Sequence, residues 1–269
     1  MEGKKKVFCL GLIILAAAFF FRFYKIDQTA PFLGDQGRDL LEIKAAIDTG
    51  QIPLVGPVSN FGIHAGPLYY YLAIPPLLIA DFQPLGPIVF FTFLGVISSL
   101  LVFLIAQNLF GLLPAFFAAL LYACSPAVVW QNLGFWNPIP IPFFGLLIIY
   151  ALYQIKEQKK PAWLLPLGVF AGIVIQFYPP AFLILAVVMV WLLWERPKSP
   201  RWLLVGLALF FLSFLPLLIF QLQNNFTDLK NLLLMVLEKF LLTSAGAESR
   251  SLINSFTTVF ANQFQPLTG

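Results

Sequence analysis

Long uninterrupted apolar runs dominate this chain and fix its solvent before any motif is read. They cover roughly Val7–Phe21, Pro67–Ala80, Gly86–Gln107, Leu112–Trp130, Pro138–Tyr153, Ala162–Phe177, Pro179–Trp194 and Trp202–Phe220. Of the 269 residues, 60% are hydrophobic and only 10% are charged, against about a quarter charged in soluble domains. A water-soluble globule lacks the polar residues to clothe that much apolar surface. A disordered chain needs low hydrophobicity and high charge, the reverse of this composition. A membrane β-barrel reads as short alternating segments. What fits is an all-α, multi-pass membrane protein.

The formal charge is +4, and its basic residues lie in small clusters between the runs. That pattern suits membrane orientation and gives no reason to expect a nucleic-acid partner. Cys9 and Cys124 both sit inside apolar runs and form no disulfide framework. His64 is the single histidine, which excludes zinc chemistry built on paired histidines.

Lys4, Lys5 and Lys6 precede the first run. A cleaved signal peptide is one alternative. The residues that follow, Arg22-Phe23-Tyr24-Lys25, offer no small-residue cleavage site, so the run reads as an uncleaved helix with a cytoplasmic N-terminus. The Pro67–Ala80 run holds the pair Pro75-Pro76 and is short of the about 20 apolar residues that a span needs. If it spanned, Lys156, Lys159, Lys160, Arg196, Lys198 and Arg201 would all fall outside. If it lies at the interface, all six join Lys4–Lys6 in the cytoplasm, as the positive-inside rule requires. The expected topology is therefore about seven spans within residues 1–220, with residues 22–85 forming an external loop in which the Pro67–Ala80 run lies at the interface. Residues 221–269 form a second external segment. In it, Phe226–Leu242 reads as an amphipathic helix. Leu229, Leu232, Leu233, Val236, Leu237 and Phe240 recur at helical spacing, with Asp228, Lys230, Glu238 and Lys239 between them.

This topology collects the unusual polar groups on one external face. The segment Gly34-Asp35-Gln36-Gly37-Arg38-Asp39 has glycines that allow tight backbone geometry, and after them Asp39–Ile47 looks helical, ending near Gly50. Asp35 and Asp39 are four apart and would share a helix face. Arg38 can orient a carboxylate or hold a phosphate. Asp35 has two readings, a helix N-cap or a chemical group. The segment His64-Ala65-Gly66-Pro67-Leu68-Tyr69-Tyr70-Tyr71 also has two, an interfacial aromatic belt behind an ordinary loop histidine or part of a site. Trp130, Gln131, Asn132, Trp136 and Asn137, and then Gln176, Phe177, Tyr178, Pro179 and Pro180, fall at outer helix ends. They read as interfacial anchors or as walls of the same site.

In order, Gly34-Asp35-Gln36-Gly37-Arg38-Asp39, Gly66-Pro67-Leu68-Tyr69-Tyr70-Tyr71-Leu72, Asn108-Leu109-Phe110-Gly111, Leu121-Tyr122-Ala123-Cys124-Ser125-Pro126 and Trp136-Asn137-Pro138 resemble the integral-membrane glycosyltransferases of the C-type fold. The likeness is to the dolichyl-phosphate-mannose protein mannosyltransferase and aminoarabinose transferase group, and within it to a bacterial family with this first-loop motif. The resemblance implies an inverting enzyme of the bacterial cell membrane, its first external loop carrying juxtamembrane helices. It would transfer a sugar from a polyprenyl-phosphate-linked donor to a hydroxyl of a lipid, glycan or protein acceptor on the outer face, in contact with membrane lipids. By resemblance Asp35 matches the catalytic acid and serves as general base. Arg38, Asp39, His64, Tyr69, Tyr70, Asn137 and Tyr178 are the expected substrate-binding residues, with His64 on the phosphate side. The resemblance implies no cofactor and no metal. It also implies further spans past residue 269, so the sequence reads as a fragment, a split protein or a truncated copy. The rival readings are a non-catalytic subunit of such an enzyme and a transporter or lipid flippase. Transporters place ionisable residues at mid-membrane and show repeats, and these runs show neither.

Overall fold

The computed structural model describes residues 2–59, 62–197 and 199–244. Met1, Asn60, Phe61, Lys198 and the chain from residue 245 onward lie outside the described residues, as do the side chains of Glu2 and of residues 238–244, among them Glu238, Lys239, Phe240 and Leu242 of the expected tail helix. The regular structure of the described residues is helical, apart from one isolated antiparallel bridge between Val58 and His64. In order they are α1 (Glu2–Phe23), α2 (Ile26–Thr29), α3 (Gly34–Thr49), α4 (Leu68–Ile79), α5 (Leu85–Phe110), α6 (Leu112–Cys124), α7 (Pro126–Asn132), α8 (Ile141–Lys156), α9 (Leu164–Phe177), α10 (Phe182–Glu195), α11 (Pro200–Ser213), α12 (Leu215–Gln223) and α13 (Thr227–Ser244).

Every expected apolar run is helical, and length separates their roles. Gly3–Phe23 and Leu85–Phe110 are each long and apolar enough to cross a membrane alone. Two further runs do so only as bent pairs, α6 with α7 at 61° and α11 with α12 at 48°. Each had read as one continuous run. The first bend falls at Ser125-Pro126, where the missing proline N–H interrupts the helical ladder. Ile141–Lys156, Pro161–Phe177 and Pro179–Glu195 are shorter apolar helices, at or just under the roughly 17-residue lower limit for a span. α4, at 12 residues, falls well below that limit.

The chain divides into two compact units, residues 1–57 with 65–220, and residues 58–64 with 221–269. In the first unit three apolar clusters form the core. One gathers Tyr69, Tyr70, Phe91, Phe135 and Phe177 from α4, α5, the 133–140 loop and α9. A second sets Ile14 and Ala18 of α1 and Phe103 of α5 against Ala115, Ala119 and Ala123 of α6. The alanines recur every fourth residue, so one small-residue stripe of α6 lets its neighbours come close. A third joins α8, α9 and α10 through Ile148, Leu167 and Val188. α9 and α11 approach backbone to backbone. A Cβ added to Gly168 would sit 2.0 Å from the carbonyl oxygen of Gly206, so neither helix could carry a side chain there without moving apart.

Arg22, expected at the start of the external loop, belongs instead to the last turn of α1 and is fully buried. Its Nη1 donates to Ala123 O at 2.9 Å and to Ala18 O at 3.3 Å. Nε and Nη2 both donate to Asn132 Oδ1, at 3.2 and 3.1 Å. The guanidinium thus caps the carbonyl end of α6, where the helix dipole is negative, and ties α1 to both halves of the bent α6–α7 pair. A buried charge is tolerated only when its donors are satisfied, and these acceptors satisfy it.

Candidate active site

α3 begins at Gly34, with the extended Leu33 at the N-cap. The Leu33 N–H donates to the Gln36 side chain, so Gln36 closes the helix start. Asp35 is therefore not the cap. It sits in the first turn, where free backbone N–H groups favour a carboxylate. Gly50 ends the helix in the left-handed conformation, φ +67°, which glycine adopts without strain.

The helical spacing brings Asp35, Arg38 and Asp39 together as expected. Arg38 Nη1 donates to Asp35 Oδ1 at 3.1 Å, while its Nε and Nη2 donate to Asp39 Oδ1 at 3.0 and 2.8 Å. The two carboxylates nonetheless have opposite environments. The Asp35 side chain is 63% exposed and that of Asp39 is 1% exposed. The Tyr70 hydroxyl lies 2.6 Å from Glu42 Oε2 and 3.3 Å from Asp39 Oδ1, linking α4 to α3. Burial raises the Asp39 pKa above the usual carboxylate range, against the opposing pull of Arg38. Burial and the bond to Glu42 likewise raise the Tyr70 phenol well above its ordinary value.

Tyr69 is fully buried, stacked on Phe135 with centroids 4.7 Å apart. Its hydroxyl is buried near Asp39, and burial and that carboxylate raise the Tyr69 phenol above its ordinary value. Tyr71 is partly buried and donates to Pro53 O. Tyr69 and Tyr70 thus face the protein interior, away from both lipid and the cavity beside Asp35. Asn137 Nδ2 donates to Phe177 O at 2.6 Å, joining the third polar group to the fourth, beside the exposed Tyr178.

Asp35 opens onto a cavity of about 420 Å³, whose other walls include Leu33, Trp130, Gln131, Trp136 and Ile139. Next to the lining residue Leu133, Gly134 has a φ of +102°, which excludes most side chains, and a Cβ there would sit 3.3 Å from the carbonyl oxygen of Pro31, which lines the cavity. Asp35 is thus a carboxylate that a substrate can reach, whereas Asp39 holds Arg38 in place. Among the described residues no three His, Cys, Asp or Glu side chains gather closely enough to hold a metal ion. The Arg38 guanidinium bridges the two carboxylates that would be the first candidates.

His64 belongs to the second unit. Its Nδ1 is 2.9 Å from Asp228 Oδ1 on α13. Asp228 Oδ2 accepts from the His64 backbone N–H at 3.3 Å and from Gln221 Nε2 at 2.6 Å. Asn231 Nδ2 donates to Gly62 O at 2.8 Å, so two polar residues one turn apart on α13 fasten the 58–64 loop.

Several of these partners were not singled out from the sequence. Glu42 had a usable signal, since it lies three residues after Asp39 on the same helix face. Asp228 had none, because it stands 164 positions from His64.

Residues 64–220 match the dolichyl-phosphate-mannose-protein mannosyltransferase family. The chain belongs to that family. It is accordingly a multi-pass membrane glycosyltransferase, all-α in fold. Neither curated proteins nor solved structures yield a match to the chain. The mannosyltransferase match begins at His64, so the Asp35–Asp39 segment precedes it.

Proposed function

We propose that this mannosyltransferase-family member uses a polyprenyl-phosphate-linked sugar as donor and transfers it with inversion to an acceptor hydroxyl at the outer membrane face. Asp35 is the general base. It takes the hydroxyl proton as the acceptor oxygen bonds to the anomeric carbon and the C–O bond to the lipid phosphate breaks. The observation that carries this reading is the contrast between the two carboxylates on α3. A base must touch the proton it removes. Asp35 borders an open cavity, while Asp39 is buried beneath Arg38 and Tyr70. Arg38 orients Asp35 and supplies positive charge for the departing phosphate. For His64, a phosphate-side role rests on the sequence resemblance alone.

The test uses the chain in membranes, supplied with any further spans its gene encodes. Transfer from a lipid-phosphate sugar, and none from the matching nucleotide sugar, is the expected result. Transfer from the nucleotide sugar alone would overturn the donor assignment.

A further inference from the structure

Two cavities of the first unit differ in chemistry. One, about 760 Å³, lies between α1 and α5 and is walled mainly by Val7, Phe8, Leu12, Phe103 and Leu104. Such a wall suits hydrocarbon. The Asp35 cavity is smaller and mixed, with a carboxylate and the Gln131 amide set among two indoles. A lipid tail gains nothing from a carboxylate and an amide, and burying them against it would cost their hydration.

A pyranose fits that mixture. Each ring has an apolar C–H face and a rim of hydroxyls that both donate and accept. Indoles present flat apolar area at low conformational cost, and Gln131 and Asp35 can pair with the rim. Trp130 and Trp136 are 62% and 47% exposed, so much of each side chain is uncovered. The cavity volume lies within the range of small-molecule sites, about 300–1,000 Å³.

We propose that Trp130, Gln131 and Trp136 form the sugar subsite of the donor, stacking on and hydrogen-bonding the pyranose in the cavity that Asp35 borders. The proposal rests on the donor reading above and adds the residues that recognise the sugar as distinct from its lipid carrier. It also gives these side chains a role other than anchoring helix ends at the membrane interface.

The experiment measures binding to the full chain in nanodiscs, by calorimetry. The probes are a short polyprenyl phosphate and the same lipid carrying mannose, glucose or galactose. Wild-type protein is expected to bind at least one sugar-bearing lipid about tenfold more tightly than the bare lipid. Trp130→Leu and Trp136→Leu should abolish that preference and leave bare-lipid affinity within about twofold. Trp136→Phe, which keeps an aromatic face, should retain most of it. Preference undiminished in both leucine variants overturns the subsite. Equal loss of affinity for bare and sugar-bearing lipid does so too, and points to interfacial anchoring. Equal binding of all the lipids by wild-type protein overturns the subsite but leaves the lipid-phosphate donor standing. Binding of none of them overturns both.

Discussion

Arg38 holds the buried Asp39 through two hydrogen bonds to a single oxygen, Oδ1, at 3.0 and 2.8 Å, and reaches exposed Asp35 with its remaining arm. One guanidinium thus links an exposed carboxylate to a buried one. The difference between the two acids comes from burial, since both lie on the same helix face.

The raised Asp39 pKa gives a pH dependence with a definite sign. Below the ordinary carboxylate pKa both folded and unfolded states are protonated. Between that value and the raised folded value, the folded state holds more proton. Stability contributed by this group therefore falls as pH rises through that window. Thermal unfolding of wild type and Asp39→Asn in detergent, from about pH 3.5 upward, should show the wild-type margin shrinking as pH rises. Parallel curves would contradict the assignment.

Asn132 is expected to matter for stability although it lies outside the proposed site. Asn132→Leu removes the acceptor shared by Nε and Nη2 of buried Arg22. Nε is then left without its acceptor and Nη2 keeps only Tyr122 O, at 3.5 Å, which should cost about 1–3 kcal/mol, seen as a lowered melting temperature and reduced accumulation in the membrane. Unchanged melting would mean that Arg22 finds other partners.

Topology gives a third expectation. Lys156, Lys159, Lys160, Arg196 and Arg201 flank two short connections that the positive-inside rule assigns to the cytoplasm. Cysteines placed at Gln158 and Ser199 should react with an impermeant reagent only after the membrane is opened. Labelling in intact cells would reverse the orientation.

Much of this was legible in the sequence, because it depends on local pattern. Apolar runs became helices, the short Pro75-Pro76 run became the 12-residue α4, and four-residue spacing put Asp35 and Asp39 on one arginine. Other features depend on which distant residue arrives. Arg22 read as a loop residue, since nothing nearby announces Asn132 or the carbonyl end of α6. Asp35 read as a possible cap, and the choice of Leu33 followed from where the preceding chain turns extended. Trp130 and Trp136 read either as interfacial anchors or as walls of a site, and the local pattern could not show that both line the cavity that Asp35 borders.

The most direct measurement is sugar transfer by Asp35→Asn beside Asp39→Asn, with melting temperature recorded for both. Asn keeps the size of the side chain and loses its basicity. Asp35 is exposed and its ion pair with Arg38 contributes little there, so its replacement should shift the melting temperature only slightly while transfer falls by about 10²–10⁴-fold. Asp39→Asn should alter stability and reduce transfer less. An Asp35→Asn protein with full transfer activity would contradict the assignment of Asp35 as the base.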